Sequence, residues 1–206
     1  MKLFRSTIAL AFLAAALFSV GLGRANAQSR KFVAHGAAAN VTTLPPDLYK
    51  VNYFSNANTS GAPDATVRIT DDGTSGGNIC AQIYVFDPYQ EMSECCACLV
   101  TPNGLRTFSV DTNLTSNPLT GVTLTTGTVE IVSGYTPGRT CSPLNPIVTP
   151  GVRAWGTHIQ NAGFAVTETE SLDAQLTTGN DNLLTDCAAI ILDGSGAGVC
   201  SCGTGD

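Results

Sequence analysis

Eight cysteines constrain this chain more than any other feature. Cys95, Cys96 and Cys98 lie within four residues, and a single serine separates Cys200 from Cys202. All eight follow an N-terminal segment with the character of a secretory signal peptide, and thiols delivered to an oxidising compartment usually pair. The pattern therefore predicts an exported domain that is cross-linked by disulfides.

The first 27 residues have the three parts of a signal peptide. Lys2 and Arg5 supply a positive start, residues 8–22 form a mainly apolar run, and Ala25 and Ala27 offer small side chains at the cleavage position. The apolar run is shorter than the roughly 20 residues that cross a bilayer. We therefore expect cleavage after Ala27, no membrane insertion afterwards, and a secreted, periplasmic or extracellular location.

Charge excludes one class of partner. Removal of residues 1–27 leaves 7 basic and 16 acidic side chains, a net charge of -9. Nucleic-acid binding depends on clustered Lys and Arg, which this chain does not have. We expect no nucleic-acid partner, and a protein or glycan partner whose identity the sequence does not give.

The 179 residues that remain are enough for one domain. Residues 28–46 are small and polar and end at Pro45-Pro46, which predicts an exposed N-terminal arm or linker. Residues 47–206 are then a single β-rich, disulfide-bonded domain.

Strand-forming residues dominate the first two thirds of this domain. Segments rich in Val, Ile, Thr and aromatic residues alternate with Gly, Asn, Asp and Pro clusters, which is typical of an antiparallel sandwich or barrel. The sequence therefore predicts an all-β fold, an antiparallel β-sandwich-like single domain with one short C-terminal helix, stapled by disulfides. The predicted strands are residues 50–54, 65–70, 79–86, 105–110, 122–132 and 152–159.

The C-terminal helix is predicted from apolar spacing. Leu183, Leu184, Cys187 and Ile191 recur at the helical period, and Gly194 provides a stop. Cys187 would lie on the buried stripe of this helix, where a disulfide would tie the helix to the domain.

A hairpin is predicted around Asp87-Pro88-Tyr89-Gln90, because proline presets the first central position of a type I turn. This register would place Val85 opposite Met92 and Ala81 near Cys96. Cys80 would then lie beside the cysteine cluster.

Alternation along a strand gives the cysteines different directions. Cys96 and Cys98 should share a face that Cys95 does not, and Cys200 and Cys202 should share a face if extended. We predict four bridges, with the members of the 95–98 cluster joined to different distant partners. Eight cysteines allow 105 pairings, and the sequence does not choose among them. The predicted disulfide residues are Cys80, Cys95, Cys96, Cys98, Cys141, Cys187, Cys200 and Cys202.

Two other uses of these thiols are disfavoured. Zinc ligands are usually two to four residues apart, whereas C-x-C is tighter, and only His35 and His158 could add imidazole. Residues 95–98 contain C-x-x-C by count, yet they end a β-prone run, while redox motifs open a helix. We expect no metal site and no cofactor, and metal binding by cysteines remains an alternative.

Residues 73–77 (GTSGG) match the G-x-S-x-G pattern of serine hydrolases. That elbow needs a strand, a turn and then a helix, but here a strand-like run follows. Asp72-Gly73 supplies the backbone conformation of a tight hairpin turn, which is the preferred interpretation. We predict no catalytic residue in this segment.

Glu168 and Glu170 would face one side of a strand, where two carboxylates can form the catalytic couple of a glycosidase. Alternating Thr and Glu is more typical of the solvated edge of a sheet. Asp71, Asp72 and Asp193 could bind calcium, but the sequence around them lacks the spaced ligand pattern of a dedicated calcium-binding loop.

Other polar and aromatic residues admit a binding interpretation. Trp155 with Tyr84 and Phe86 would suit a sugar platform, but core packing is the usual fate of scattered aromatics. The N-x-S/T acceptors for glycans are Asn40, Asn58 and Asn113.

Several stretches together form one framework: residues 83–86 (IYVF), 94–98 (ECCAC), 101–105 (TPNGL), 153–155 (RAW), 194–196 (GSG) and 200–203 (CSCG). In this framework, which spans residues 65–203, the chain resembles a group of secreted bacterial proteins of unknown function. The resemblance implies export from a bacterium and a shared cysteine framework. It implies no activity, substrate or catalytic residue.

These observations favour a secreted, disulfide-stabilised β-domain that binds a partner or serves as a structural component of the envelope or extracellular space. A secreted, carbohydrate-active hydrolase that uses acidic residues is the first alternative, and a cysteine-based metal-binding protein is the second. The sequence favours a protein that is not an enzyme.

Overall fold

The computed structural model of the protein describes residues 33–34, 45–161, 163–175 and 182–205. Within these ranges the chain forms eleven strands, a π-helical turn and an α-helix. The strands are β1 (Val33–Ala34), β2 (Tyr49–Ser55), β3 (Thr66–Asp71), β4 (Ile79–Phe86), β5 (Met92–Val100), β6 (Leu105–Ser109), β7 (Thr126–Tyr135), β8 (Ile147–Val148), β9 (Val152–Gln160), β10 (Ala165–Glu170) and β11 (Leu172–Asp173). The π-helical turn is Val110–Leu114, and helix α1 is Leu183–Leu192.

The strands form two sheets. In the larger one, sheet A, β7 pairs with β2 and with β4, β5 pairs with β4, and β11 pairs with β2. The short β8 joins the end of β7, and β1 lies parallel to β8. Sheet B has the antiparallel order β10-β9-β3-β6. The predicted all-β, sandwich-like fold with one short C-terminal helix is confirmed.

The main hydrophobic core lies between the two sheets. Alternate residues of each strand point inward, as the period of two requires. Cys96 and Cys98 belong to this core, whereas Cys95 belongs to a second cluster on the opposite face of β5, as alternation predicted. Other members of the main core include Ile69, Ile83, Val85, Phe108, Ile131 and Ala154.

The outward face of sheet A is covered by helix α1 and the loop that leads into β8. The Cys95–Cys187 disulfide joins β5 to the helix, and Cys80–Cys141 joins β4 to the loop. Helix α1 buries one apolar stripe here, as its predicted spacing required. The second core contains Leu48, Tyr49, Tyr84, Val132, Leu183 and Ile190.

Side chains of β4 also satisfy carbonyls of this covering loop. The Tyr84 hydroxyl lies 2.9 Å from Gln82 Oε1 and 3.0 Å from the Pro143 carbonyl oxygen. Gln82 Nε2 donates to the Asn145 carbonyl at 2.8 Å. Burial raises the pKa of Tyr84, so its hydroxyl keeps the proton that it donates.

One side of the sandwich is closed by a strand that changes sheets. β10 pairs with β9 in sheet B, and after Ser171 the chain continues as β11 beside β2 in sheet A. The Ser171 amide donates to the Ala154 carbonyl, and its hydroxyl accepts from Asn52 Nδ2 at 3.0 Å. This side of the sandwich is therefore continuous through backbone pairing.

The opposite side is closed by the C-terminal segment, residues 198–205. The Cys95 amide donates to the Gly198 carbonyl, and Thr204 exchanges two 2.9 Å backbone bonds with Thr107 of β6. A Cβ at residue 203 would lie 1.9 Å from the Thr107 carbonyl oxygen, so only glycine permits this approach. The segment covers the edges of β5 and β6, which would otherwise present unpaired backbone groups.

Two disulfides fix this C-terminal segment to β5. They are Cys96–Cys200 and Cys98–Cys202, each with a sequence separation of 104. Together with Cys80–Cys141 and Cys95–Cys187, they pair all eight cysteines. The predicted stapling by disulfides is confirmed, and three members of the 95–98 cluster do reach different distant partners.

Most predicted strands agree with the structure. Segments 50–54, 65–70, 79–86, 105–110 and 152–159 correspond to β2, β3, β4, β6 and β9 within one residue at each end. The segment predicted at 122–132 begins later, at Thr126, and extends to Tyr135. Helix α1 forms where predicted, and Gly194 follows it with a φ of 72°.

The predicted hairpin register is wrong, although the turn at Asp87–Gln90 forms. The turn is one residue longer than expected, with Gln90 at a positive φ of 67° and the Asp87 amide bonded to the Glu91 carbonyl, and a bulge between Val85 and Phe86 adds a second residue. Each strand residue therefore meets a partner further along than expected. The observed pairs are Phe86 with Met92, Val85 with Glu94 and Ala81 with Cys98.

One other expectation requires correction. Asp72-Gly73 does not close a hairpin, because β3 lies in sheet B and β4 in sheet A, so the loop crosses between sheets. Within the predicted exposed arm, Val33–Ala34 pairs with β8. The predicted signal peptide lies outside the described residues. In the described ranges, no helix is long and apolar enough to cross a membrane.

A buried carboxyl group supports the C-terminal closure. Glu94 Oε1 accepts from the Asn117 amide at 2.8 Å, and Asn117 Nδ2 donates to the Gly196 and Val199 carbonyls. Glu94 is fully buried, and this desolvation raises its pKa to about 7, against the lowering effect of the Asn117 amide.

The first prediction concerns the paired bridges of the C-terminal segment. Replacing Cys98 and Cys202 by serine leaves the long loop closed by Cys96–Cys200, so we expect to lose about 2 kcal/mol of unfolding free energy. Replacing all four cysteines leaves Cys95–Cys187 in place and frees a segment of about 15 residues, so the total loss should be about 5 kcal/mol. Urea denaturation monitored by circular dichroism measures both. Equal losses in the two variants would contradict the assignment of these bridges to one closure.

The second prediction concerns the pH dependence set by Glu94. Because its folded pKa lies above the unfolded value of 4.5, the wild type loses stability as pH rises from about 4.5 through 7. Glu94→Gln removes this loss, so the variant should gain about 3 kcal/mol relative to wild type between pH 4 and pH 8. Urea titrations at both pH values check it, with the exposed Glu91→Gln as control for the lost charge. A difference that does not change with pH would refute the burial of an ionisable Glu94.

Candidate binding face

The outward face of sheet B is a broad surface of regular, registered side chains. In its central row, Thr107 lies opposite Arg68, Arg68 opposite Trp155, and Trp155 opposite Glu170. One residue from each of the four strands thus contributes to this row. We call the surface made by this row and its two neighbouring rows the binding face.

The neighbouring rows are mostly hydroxyl-bearing. In one of them the hydroxyl oxygens of Thr66 and Thr157 are 2.8 Å apart. Strands about 4.8 Å apart and rows about 7 Å apart make the binding face about 14 Å wide in each direction. The two rows are Ser109, Thr66, Thr157 and Glu168 on one side, and Leu105, Thr70 and Arg153 on the other.

Charges on the binding face are paired. Arg68 forms an ion pair with Glu168, and Arg153 forms one with Glu170. Two guanidinium groups and two carboxylates give this face a formal charge of zero. Such pairs hold planar donors and acceptors in fixed positions, although exposed pairs contribute little to stability.

Trp155 occupies the centre of the binding face. It is half-buried, and it alternates with Ala154, which lies in the main core, so its indole points outward. Trp155 belongs to neither hydrophobic core. The expectation of core packing is therefore wrong for Trp155 and correct for Tyr84 and Phe86, which lie in or against the second core.

A polar cavity adjoins the binding face at the end where β10 passes into β11. Its volume is about 450 Å³. Arg153 and Glu170 line this cavity and also belong to the binding face, so the two are continuous. Other lining residues are Asp47, Lys50, Ser171 and Asp173.

Lys50 is the central charge of this cavity. Its side chain is only 2% exposed, and Nζ lies 2.7 Å from Asp47 Oδ1 and 2.8 Å from Asp173 Oδ1. Burial opposes the charge, but the hydrogen bonds to Asp173 and Asp47 outweigh it and raise the pKa of Lys50. The group stays an ammonium ion, so it is a hydrogen-bond donor rather than a nucleophile or general base.

Asp173, an exposed carboxylate of the cavity, is held by the same contact with Lys50. Burial acts to raise the pKa of Asp173, but the hydrogen bond from Lys50 and the Asp47 amide lower it overall. Asp173 therefore remains an acceptor. Lys50 and Asp173 thus give the cavity a donor and an acceptor whose protonation is settled at neutral pH.

The hydrolase-like motif does not form a catalytic elbow. Residues 73–77 belong to the loop between sheets, and β4 follows rather than a helix. The Ser75 hydroxyl donates to the Gly77 carbonyl at 2.6 Å, and Asp71 and Asp72 accept from backbone amides of the same loop. These side chains order the loop. The segment is therefore a structural turn, as predicted, but it joins two sheets instead of closing a hairpin.

The predicted acidic pair lies on an exposed edge. All six residues of β10 are exposed, and Glu168 and Glu170 pair with arginines, which agrees with the interpretation as a solvated sheet edge. His158 is buried; its Nε2 lies 2.7 Å from Thr169 Oγ1, and its ring stacks on Tyr53 at 4.0 Å. Burial lowers the pKa of His158. A hydroxyl and an imidazole thus meet, but neither residue lines the cavity beside the binding face.

Other predicted sites are engaged in structural contacts. Asn58 Nδ2 donates to Thr115 and Leu124, and Asn113 Nδ2 donates to Ser201, so both amides would have to leave these bonds to carry a glycan. His35 and Asn40 lie outside the described residues. Among the described residues, no group of three His, Cys, Asp or Glu side chains is placed to hold a metal ion.

Comparisons with family models, with curated proteins and with solved structures find no match to this chain. The geometry of the chain itself is therefore the basis for any functional conclusion.

Sequence reasoning did not identify the cavity. Its residues come from three separate segments, around residues 47–50, 153 and 170–173, which meet only when β11 pairs with β2. One signal was present: Lys50 is the only cation in an otherwise apolar and polar-neutral strand, with Asp47 three residues before it. That spacing alone does not show that the ammonium is buried.

The third prediction separates a surface aromatic residue from a core one. Trp155→Ala should lower the unfolding free energy by about 1 kcal/mol or less, because Trp155 belongs to neither hydrophobic core and lies in a row of cross-strand neighbours. The control Phe108→Ala, in the main core, should cost about 3 to 5 kcal/mol. Urea denaturation by circular dichroism measures both. A loss for Trp155→Ala as large as that for Phe108→Ala would place Trp155 in the core instead.

Proposed function

We propose that this protein is an exported, disulfide-stabilised β-domain that acts by binding a partner through the open face of sheet B, as a component of the envelope or extracellular space. The observation that carries the proposal is an asymmetry of the sandwich. The outward face of sheet A is covered by helix α1 and a cross-linked loop, whereas Arg68, Arg153 and Trp155 on the outward face of sheet B are only partly buried.

The covalent framework supports the location. Four disulfides indicate an oxidising, extracellular or periplasmic environment. The signal-peptide pattern of residues 1–27 and the resemblance to secreted bacterial proteins point the same way. Disulfides add to the stability of a domain outside the cell without requiring a larger apolar core.

Binding fits the geometry better than hydrolysis. The two carboxylates of the hydrolase alternative, Glu168 and Glu170, are each paired with an arginine on an exposed edge strand. A general acid or base has to contact the substrate, whereas both carboxylates already accept from guanidinium groups. For the metal alternative, all eight sulfur atoms take part in disulfides and offer no thiolate.

The fourth prediction tests binding through this face. Purified wild-type protein should sediment with envelope fragments of the bacterium that produces it. Trp155→Ala should lower the affinity for these fragments about tenfold, because a central aromatic residue often dominates a binding surface. Tyr89→Ala is the matched control, since Tyr89 is 85% exposed on the Asp87–Gln90 turn, outside the binding face.

Equal retention of wild type, Trp155→Ala and Tyr89→Ala would contradict a function through this face. A circular dichroism spectrum and thermal midpoint for each variant establish that the fold is retained.

A further inference from the structure

The binding face and its adjoining cavity have a specific chemical character. We propose that they bind a neutral polysaccharide, with one pyranose ring seated on the indole of Trp155 and neighbouring hydroxyls bound by the Arg153–Glu170 pair at the mouth of the cavity. This inference rests on the proposed binding function and names the class of its ligand.

The indole provides the apolar part of such a site. A pyranose with equatorial hydroxyls has C–H faces that are apolar, and a flat aromatic ring is the side chain that such a face covers best. Trp155 stands between Arg68 and Glu170 in the central row, so polar groups border the ring on both sides. A sugar stacked there would direct its equatorial hydroxyls toward these groups.

The paired charges provide the polar part. A guanidinium donates through several N–H groups in a plane, and a carboxylate accepts at two oxygens, so together they complement adjacent hydroxyls that each donate and accept. Both pairs, Arg68–Glu168 and Arg153–Glu170, lie beside Trp155 and hold this geometry before a ligand arrives. Little ordering would then be needed on binding.

The cavity extends the site beyond a flat platform. Its volume of about 450 Å³ is within the usual range of ligand sites, and Arg153 and Glu170 connect it to the binding face. The buried Lys50 ammonium and the Asp47 and Asp173 carboxylates line its interior. These groups offer hydrogen bonds to a branch or a terminal sugar rather than an apolar pocket.

Charge selects a neutral ligand. The binding face carries no net charge, and the cavity, with Lys50 and Arg153 against Asp47, Glu170 and Asp173, has a formal charge of -1. The chain without residues 1–27 has a net charge of -9. An anionic polysaccharide or a nucleic acid would meet no excess of cations here.

A second copy of the chain is a poorer occupant of this face. The cores of homodimer interfaces are enriched in apolar and aromatic side chains. Besides Trp155, Leu105 is the one large apolar residue of the three rows, and it lies on β6 at the edge of the sheet. The remainder is threonine, serine and paired charges.

Trp155 is the only tryptophan of the chain, so its fluorescence reports directly on the site. The full secreted protein is titrated with two neutral oligosaccharides, cellohexaose and chitohexaose, and with the anionic hexagalacturonate. We expect a saturable shift of Trp155 emission with at least one neutral oligosaccharide, and none with hexagalacturonate at the same concentration.

Arg153→Ala retains the fluorophore and should weaken this binding about tenfold or more, as expected for a group bonded to ligand at a hot spot. Arg139→Ala, an exposed arginine elsewhere on the chain, is the matched control and should bind as wild type does. Calorimetric titration of Trp155→Ala with the same oligosaccharide should show no binding.

The outcomes separate this inference from the function on which it rests. Stronger binding of hexagalacturonate, no response to either neutral oligosaccharide, or emission that shifts with protein concentration alone would overturn the neutral-polysaccharide proposal. If envelope retention nevertheless depends on Trp155, the binding function stands and only the ligand class is wrong. If retention does not depend on Trp155, the binding function itself fails.

Discussion

Disulfides from a single strand hold the layers of this protein together. β5 sends Cys95 to helix α1 on one face, and Cys96 and Cys98 to the C-terminal segment on the other. The period-two alternation of a strand makes this division possible, because adjacent cysteines point in opposite directions. The same strand therefore anchors the cover of sheet A and the closure of the sandwich edge, two tasks that separate elements perform in many β-proteins.

This framework explains why the outward faces of the two sheets differ. Cross-links place helix α1 and the loop before β8 over the outward face of sheet A. The chain that passes from β10 to β11 at Ser171 closes one edge of the sandwich. Sheet B is left to present its outward rows on a scaffold fixed by backbone pairing. A site on rigid strands keeps donors and acceptors in position, which favours ligands recognised through several hydrogen bonds at once.

Local patterns in the sequence were sufficient for the elements and insufficient for their assembly. Runs rich in Val, Ile, Thr and aromatic residues located β4 and β9, and helical spacing located α1, because these signals depend on near neighbours. The predicted hairpin register was wrong because Gln90 adopts a positive φ and a bulge follows Val85, neither of which a local propensity required. Trp155 was assigned to the core by composition, but its outward direction depends on the register of β9 beside β3. The Lys50 cavity depends on three distant segments, and its one local signal, Lys50 three residues after Asp47, does not show that the ammonium is buried.

The most direct test of this account is the connectivity of the cysteines in the native protein. Partial reduction with stepwise alkylation, followed by tandem mass spectrometry, resolves the partners of the neighbouring Cys95, Cys96 and Cys98. The account predicts four bridges, Cys80–Cys141, Cys95–Cys187, Cys96–Cys200 and Cys98–Cys202, and no free thiol. Free thiols in the native protein, or a bridge from Cys95 to the C-terminal segment, would contradict it.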